Sequence, residues 1–331
     1  MRFPPSALLP LLAGACAKPP TVVVYCAADQ EHAEPILQEF GKRTGIAVDA
    51  KFDIEAAKTV GLARTLEEEK DHPRCDVFWN NEILHTIRLK EARILAPYRS
   101  PSAEGIPPEF VDPEGFWTGF AARARVFIVN TNRVRDVERP KSIRELADPH
   151  WKGQVGLAKP TAGTALTHFA ALFEVWGEEK TREFCEALLA NEVNLASGNG
   201  PVASLVGGGH LIFGLTDTDD VRAQQLNGKP VAAVYPDEPE DGVLVIPNTL
   251  ALVAGAPHAE NGKKLIDYLL SPAVERRLAA SPSANIPVRP TVETPEHVRR
   301  LDSIRRMEVD WVAAARNLPA RVETLSEIFV R

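Results

Sequence analysis

The chain has 331 residues, 44% of them hydrophobic and 25% charged, which excludes a disordered tail, a collagen-like fibre and a miniature disulfide scaffold. At roughly 100–200 residues per domain this length predicts two domains, each with enough apolar material for its own core. The 38 basic and 45 acidic residues give a formal charge of -7, so nothing in the balance marks a nucleic-acid binder.

At the N-terminus Arg2, an apolar stretch over 7–12 and the small residues Ala13, Gly14 and Ala15 lead into Cys16, the layout of an export signal. The run Leu-Leu-Ala-Gly-Ala-Cys resembles a bacterial lipoprotein signal, which implies lipidation of Cys16 and a signal segment over 1–17. An ordinary cleaved signal and a disordered leader are the alternatives. No later run reaches the roughly 18 apolar residues that cross a bilayer, so membrane contact is expected only through the lipid. Cys26, Cys75 and Cys185 remain, without a C-x-x-C spacing, which argues against a zinc cluster. Buried free thiols fit them, and so does a Cys26–Cys75 disulfide beside two predicted strands.

A β-branched run over 21–26, a helical pattern over 31–43 and an alternating run over 46–52 predict a β-α-β opening. A strand over 76–79 and a helix over 83–92 continue the alternation and imply a parallel sheet. Prolines at 97, 101, 107, 108 and 113 forbid regular structure, and a strand is predicted again over 124–130, as in a crossing between lobes. A second α/β series follows, with strands at 154–158, 193–196 and 211–215 and helices at 164–175 and 181–191. Residues 243–254 are β-rich and return the chain to the first lobe, followed by helices over 259–270 and 272–280. The apolar spacing of 298–330 predicts helices packed on a lobe.

The order of several short segments resembles the periplasmic ferric-ion-binding proteins, the extracellular solute-binding subunits of ABC importers. They are Val24-Tyr25 with the polar loop to Asp29, Thr44-Gly45-Ile46, Asp76-Val77-Phe78-Trp79, Leu95-Ala96-Pro97, Arg123-Ala124-Arg125-Val126, Pro160-Thr161-Ala162-Gly163-Thr164, and Gly214-Leu215-Thr216 before an acidic cluster. The resemblance implies a type II periplasmic binding protein fold: α/β, with two Rossmann-like lobes joined by two hinge strands and a ligand gripped between them. Lobe 1 would span 21–122 plus 248–297, lobe 2 would span 123–247, and 298–331 would pack on a lobe. It also implies an ABC permease in the inner membrane as partner, a periplasmic or cell-surface location, and a monomer that catalyses nothing.

Carried over residue by residue, the family's adjacent tyrosine ligands fall on Asp219 and Asp220, and its first-loop ligand falls on Asp29. Its glutamate falls on Asn81, beside Glu82. The anion-holding loop becomes Ala162, Gly163 and Thr164, and the two anion-contacting asparagines become Asn199 and Asp217. Under that fold Asp29, Asp217, Asp219 and Asp220 converge, and carboxylates about 4 Å apart repel by about 4 kcal/mol at an effective dielectric of 20. Such a cleft calls for a small cationic ligand. Hard oxygen ligands suit Fe³⁺, Ca²⁺, Mg²⁺ or Mn²⁺, with a small anion alongside, and Asp29, Glu82, Asp219 and Asp220 form the expected metal set. An organic amine, polyamine or aminophosphonate stacked on Trp79 or Tyr25 is the alternative.

Local chemistry offers other readings of the same residues. Thr216 to Asp220 can cap a helix over 221–226, and Asn80-Asn81-Glu82 can cap the helix after its strand. Gly163-Thr164 and Gly198-Asn199-Gly200 each precede a helix, where N–H groups face an anion or simply make a turn. Arg123 and Arg125 are expected to brace the hinge. Gly198 to Ala203 fits the G-x-G-x-x-A dinucleotide fingerprint with Asp217 downstream, which keeps a nicotinamide enzyme as a reading from another class. G-x-S-x-G and H-E-x-x-H are absent.

Overall fold

A computed structural model of the chain describes residues 19–53, 60–237 and 240–330. Cys16 and the signal segment lie outside the described residues. The first half alternates through β1 (Thr21–Cys26), α1 (Gln30–Thr44), β2 (Ala47–Phe52), α2 (Val60–Glu68), β3 (Val77–Asn80), α3 (Leu84–Glu91) and β4 (Leu95–Ala96), with α2 and β4 added to the predicted elements. β1 lies between β2 and β3 and runs parallel to both. Helix α1 stops at Gly45, whose φ of 71° lies in the left-handed region that glycine enters without strain.

The thirteen-residue β5 (Thr118–Asn130) is buried along its whole length. Beyond it come β6 (Val155–Ala158), α4 (Gly163–Trp176), α5 (Glu178–Ala190), β7 (Asn194–Ala196), α6 (Asn199–Gly207), β8 (Phe213–Asp217), α7 (Thr218–Leu226), β9 (Val231–Val234), β10 (Val245–Val253), α8 (Ala259–Leu269), α9 (Pro272–Ala280) and α10 (Trp311–Phe329). Strand β6 runs parallel to β7 and β8. The strands join in the order β2-β1-β3-β10-β5-β8-β6-β7.

β5 serves two sheets. Its first part pairs antiparallel with β10, from Thr118 opposite Leu250 to Ala124 opposite Val245. Its second part pairs with β8, from Arg125 opposite Asp217 to Val129 opposite Phe213, and with β9. The crossing between the two α/β units therefore lies inside β5 and β10, after the proline-rich segment. That segment stays with the first unit, where Lys90 pairs with Asp112 at 2.6 Å. The strand also begins six residues earlier than its apolar pattern predicts, because Gly119, despite its weak strand propensity, pairs with β10 alongside Thr118. At the crossing Ala121 adopts a φ of 43°, an unusual conformation for a residue with a Cβ. The Glu275 carboxylate accepts its N–H at 3.1 Å, and Asn248 donates to its carbonyl.

The C-terminal segment forms one long helix rather than several. Asp310 caps α10 by accepting the Ala313 N–H at 2.9 Å. The helix lies against α3 of the first unit and α4 of the second. Its buried Ala314, Ala315, Leu318 and Leu325 join a core that also takes in Ile83 and Phe169. Cys26, Cys75 and Cys185 are buried, and Cys26 and Cys75 form no disulfide with each other, so that alternative does not hold. No described helix is long and apolar enough to cross a membrane.

Candidate functional site

A cavity of about 750 Å³ opens between the two units, lined at the C-terminal ends of β1, β3, β6, β7 and β8. In parallel α/β sheets this is the end where helix N-termini and variable loops meet, and where ligands bind. Asp29, Asn81, Gly163, Thr164, Asn199, Asp217, Asp219 and Asp220 all line it, as do Glu31, Arg123, Lys159 and Ser197. The separated aspartates thus share one solvent-filled gap.

Asp217 ends β8 and Asp219 and Asp220 open α7, so three carboxylates cluster with oxygens within 4.8 Å of one another. Each has a different neighbour. Asp217 accepts from Arg125 Nη1 at 2.9 Å, Thr164 Oγ1 at 2.6 Å and Asn199 Nδ2 at 3.1 Å. Burial raises its pKa, but the Arg125 and Arg123 charges and the Thr164 hydroxyl outweigh burial and hold it below the ordinary value. Asp219 accepts from Arg123 Nη1 at 3.1 Å. Burial raises its carboxyl, and the Asp217 and Asp29 charges add to that against Arg123. Asp220 accepts from Thr216 Oγ1 at 2.6 Å and from the Asp217 N–H at 3.4 Å. Burial, followed by the Asp219 and Asp217 charges, pushes it well above the carboxylate range.

Asp217 is the N-cap of α7 and Asp220 closes a capping box with it, while Asp217 also pairs with Arg125 and Asp219 with Arg123. The capping and cleft readings of this segment hold together. Arg125 is fully buried and also donates to Asn199 Oδ1 at 3.0 Å and, through Nε, to His168 Nδ1 at 3.4 Å. Burial and the Arg125 charge keep His168 far below its usual pKa, hence neutral and able to accept. The loops into α4 and α6 continue this wall, and Asp29, Glu31 and Asn81 face it from the first unit. Gly163 sits at φ 56° with nothing within 4 Å of where a Cβ would stand, leaving the N–H end of α4 open to the cavity.

Two predicted residues lie elsewhere. Trp79 is in the core, its ring 5.7 Å from that of Phe120, because β3 is covered on both faces. Glu82 turns inward as a helix cap: its carboxylate accepts the N–H groups of Leu84 at 2.6 Å and His85 at 2.9 Å, together with Asn80 Nδ2 at 2.8 Å. Thr167 of α4 also reaches it at 3.2 Å, so Glu82 ties the two units together behind the cavity rather than offering oxygens to it. Tyr25 is likewise buried and hydrogen-bonds Glu69 at 2.8 Å. Asp29 lines the cavity without joining the three-carboxylate cluster.

The structure also enlarges the part played by the hinge arginines. Arg123 and Arg125 alternate on one face of an otherwise apolar strand, and buried guanidinium groups need carboxylate partners. That alternation is a signal from which the pairing with the aspartates could have been found. Lys159 and Ser197, in loops after β6 and β7, carried no comparable signal.

Comparison with known proteins places this geometry. The chain is 24% identical over 253 residues to the Fe(3+)-binding periplasmic protein of Serratia marcescens, covering 75% of this chain and 73% of that protein. It is 28% identical over 294 residues to the putative 2-aminoethylphosphonate-binding periplasmic protein of Salmonella typhi, covering 86% and 83%. The solved structure of iron-bound HitA from Pseudomonas aeruginosa superposes with a TM-score of 0.83 at 22% identity, covering 93% of this chain and 99% of that one, which shows the fold. The family model described as bacterial extracellular solute-binding protein matches residues 86–312, and the chain belongs to that family.

Proposed function

We propose that the chain is the substrate-binding subunit of an ABC importer that closes two hinged lobes on a hard metal cation and presents it to a permease in the inner membrane. Lobe 1 comprises 21–122 plus 248–297, lobe 2 comprises 123–247, and 298–331 lies across both. The protein does no chemistry on its ligand. It works in the periplasm as a monomer, tethered through lipid on Cys16.

The observation that carries the reading is the cluster of Asp217, Asp219 and Asp220, with Asp29 on the same cavity. Carboxylate oxygens suit hard cations, and the two arginines beside three ionised carboxylates would leave net negative charge for a cation to offset. Fe³⁺ is the favoured guest, given the iron-binding relative, with Ca²⁺, Mg²⁺ and Mn²⁺ sharing the ligand chemistry. Asp219 and Asp220 are the proposed ligands, with Asp29 closing from the other lobe. The open N-termini of α4 and α6, with Thr164, Asn199 and Lys159, would hold a small anion.

The cavity favours a second reading, because about 750 Å³ exceeds what a bare ion fills. An aminophosphonate would put its ammonium on the aspartates and its phosphonate on the helix N-termini, in line with the Salmonella relative. Native mass spectrometry with elemental analysis of the purified protein separates the two. A stoichiometric metal supports the first, an organic adduct without metal supports the second, and neither ligand binding in calorimetric titration overturns both.

A further inference from the structure

Arg123 stands where a guest cation would stand. It is rooted in β5 at the crossing, opposite Ile246, and its side chain reaches both lips of the cavity. Nη1 donates to Asp219 at 3.1 Å in one unit, and Nη2 donates to the Asn81 carbonyl at 2.6 Å in the other. Both side chains of the ion pair are largely buried, so solvent screens the pair little. Nε is buried without a hydrogen-bond partner among the described residues, so the guanidinium is not saturated by its surroundings.

A cation bonded to Asp219 would meet the guanidinium as a like charge at close range, where repulsion is severe in a partly buried setting. Guest and arginine cannot share that carboxylate at full strength. We propose that Arg123 is a tethered internal cation that neutralises Asp219 in the guest-free protein and yields it when a guest binds. Its displacement sets a threshold that multivalent hard cations clear and monoammonium groups do not. This role rests on the metal reading above and deepens it, since it names multivalent hard ions as the ligand class.

The test is a titration with Tb³⁺ alone, a hard trivalent probe, read by luminescence on the wild type, Arg123→Gln, Arg123→Lys and Asp220→Ala. Arg123→Gln removes the charge but keeps an amide for the Asn81 carbonyl, and should bind Tb³⁺ about tenfold or more tightly than wild type. Arg123→Lys should stay near wild type. Equal or weaker binding by a folded Arg123→Gln, alongside Asp220-dependent binding in the wild type, overturns the role of Arg123 alone. Tb³⁺ binding that Asp220→Ala leaves unchanged, or no binding at all, overturns the metal reading with it. Should Arg123→Gln not fold, a crystal structure of the Tb³⁺-loaded wild type decides: the guanidinium out of hydrogen-bond range of Asp219 supports the proposal, and an intact ion pair overturns it.

Discussion

Two of the buried arginine–carboxylate pairs near the crossing point of β5, Arg289–Glu275 and Arg123–Asp219, are built to opposite ends. Arg289 and Glu275 are almost wholly excluded from solvent and almost fully used. Arg289 donates to Glu275 at 2.7 Å, to the carbonyls of Leu270 at 2.7 Å and Glu104 at 3.1 Å, and to that of Ser102. Glu275 accepts the N–H groups of Val288 at 2.9 Å and Ala121 at 3.1 Å. Two residues along β5 from Ala121, Arg123 pairs with Asp219 at the edge of the cavity and leaves Nε without a partner. The first pair is held by fixed backbone groups and fastens a strained hinge strand. The second joins two lobes across a gap, with bonds a guest can replace.

The sharpest way to break that contrast is to remove one partner of each pair. Glu275→Ala strands a buried guanidinium and releases Ala121, so it should destabilise the protein by about 3–5 kcal/mol in urea unfolding. Asp219→Ala and Asp220→Ala should instead weaken metal binding by roughly 100-fold in calorimetric titration, the scale expected when a buried charge loses its partner. The effect of Asp220→Ala on stability should be nearer the ~1 kcal/mol of a lost helix cap, and that of Asp219→Ala should fall below that of Glu275→Ala because Arg123 borders the cavity, where water can reach it. If Asp219→Ala unfolds the protein as Glu275→Ala does, the cavity pair is architecture too.

A pH series sharpens the comparison within the acidic cluster. The Asp220 carboxyl is raised by burial and by Asp219 and Asp217, so the stability it contributes is complete at low pH and is lost as pH rises from about 4. Metal-free Asp220→Asn should therefore be more stable than wild type at pH 7, with the difference vanishing near pH 4. Asp217 is lowered by its arginines, so its contribution is present at neutral pH and lost on acidification. Asp217→Asn should accordingly destabilise at pH 7. Thermal unfolding across pH checks both signs.

The smallest expected effect concerns the thiols. Burial pushes Cys185 up to about 12 and raises Cys75 further, so neither forms a thiolate at neutral pH. Native protein should leave Cys75 and Cys185 unlabelled by a thiol reagent at pH 8, and unfolded protein should label both.

The alternation of β-branched runs with helical spacing was enough to predict most of the parallel strands and helices, because each is a local pattern. The first part of β5 was missed because Gly119, Ala121 and Ala122 have little strand preference of their own and are set as strand by pairing with β10. Helix α2 and strand β9 also went unpredicted. At the site, three aspartates within four positions exceeded what one helix cap uses, and that excess was legible. Glu82 was not separable from a ligand by sequence, since an acid after a strand suits a cleft and a helix start equally. Only the Leu84 and His85 N–H groups decide it. Trp79 was misassigned because an aromatic at a strand end suits stacking, whereas here both faces of β3 are covered.

The most direct measurement of the central claim is anomalous diffraction from crystals of the protein loaded with Fe³⁺, collected at the iron edge. The account predicts one peak in the cavity between the units, bonded to the Asp219 or Asp220 carboxylate. A cavity without a peak, or a metal bonded only on the wall formed by α4 and α6, would contradict it.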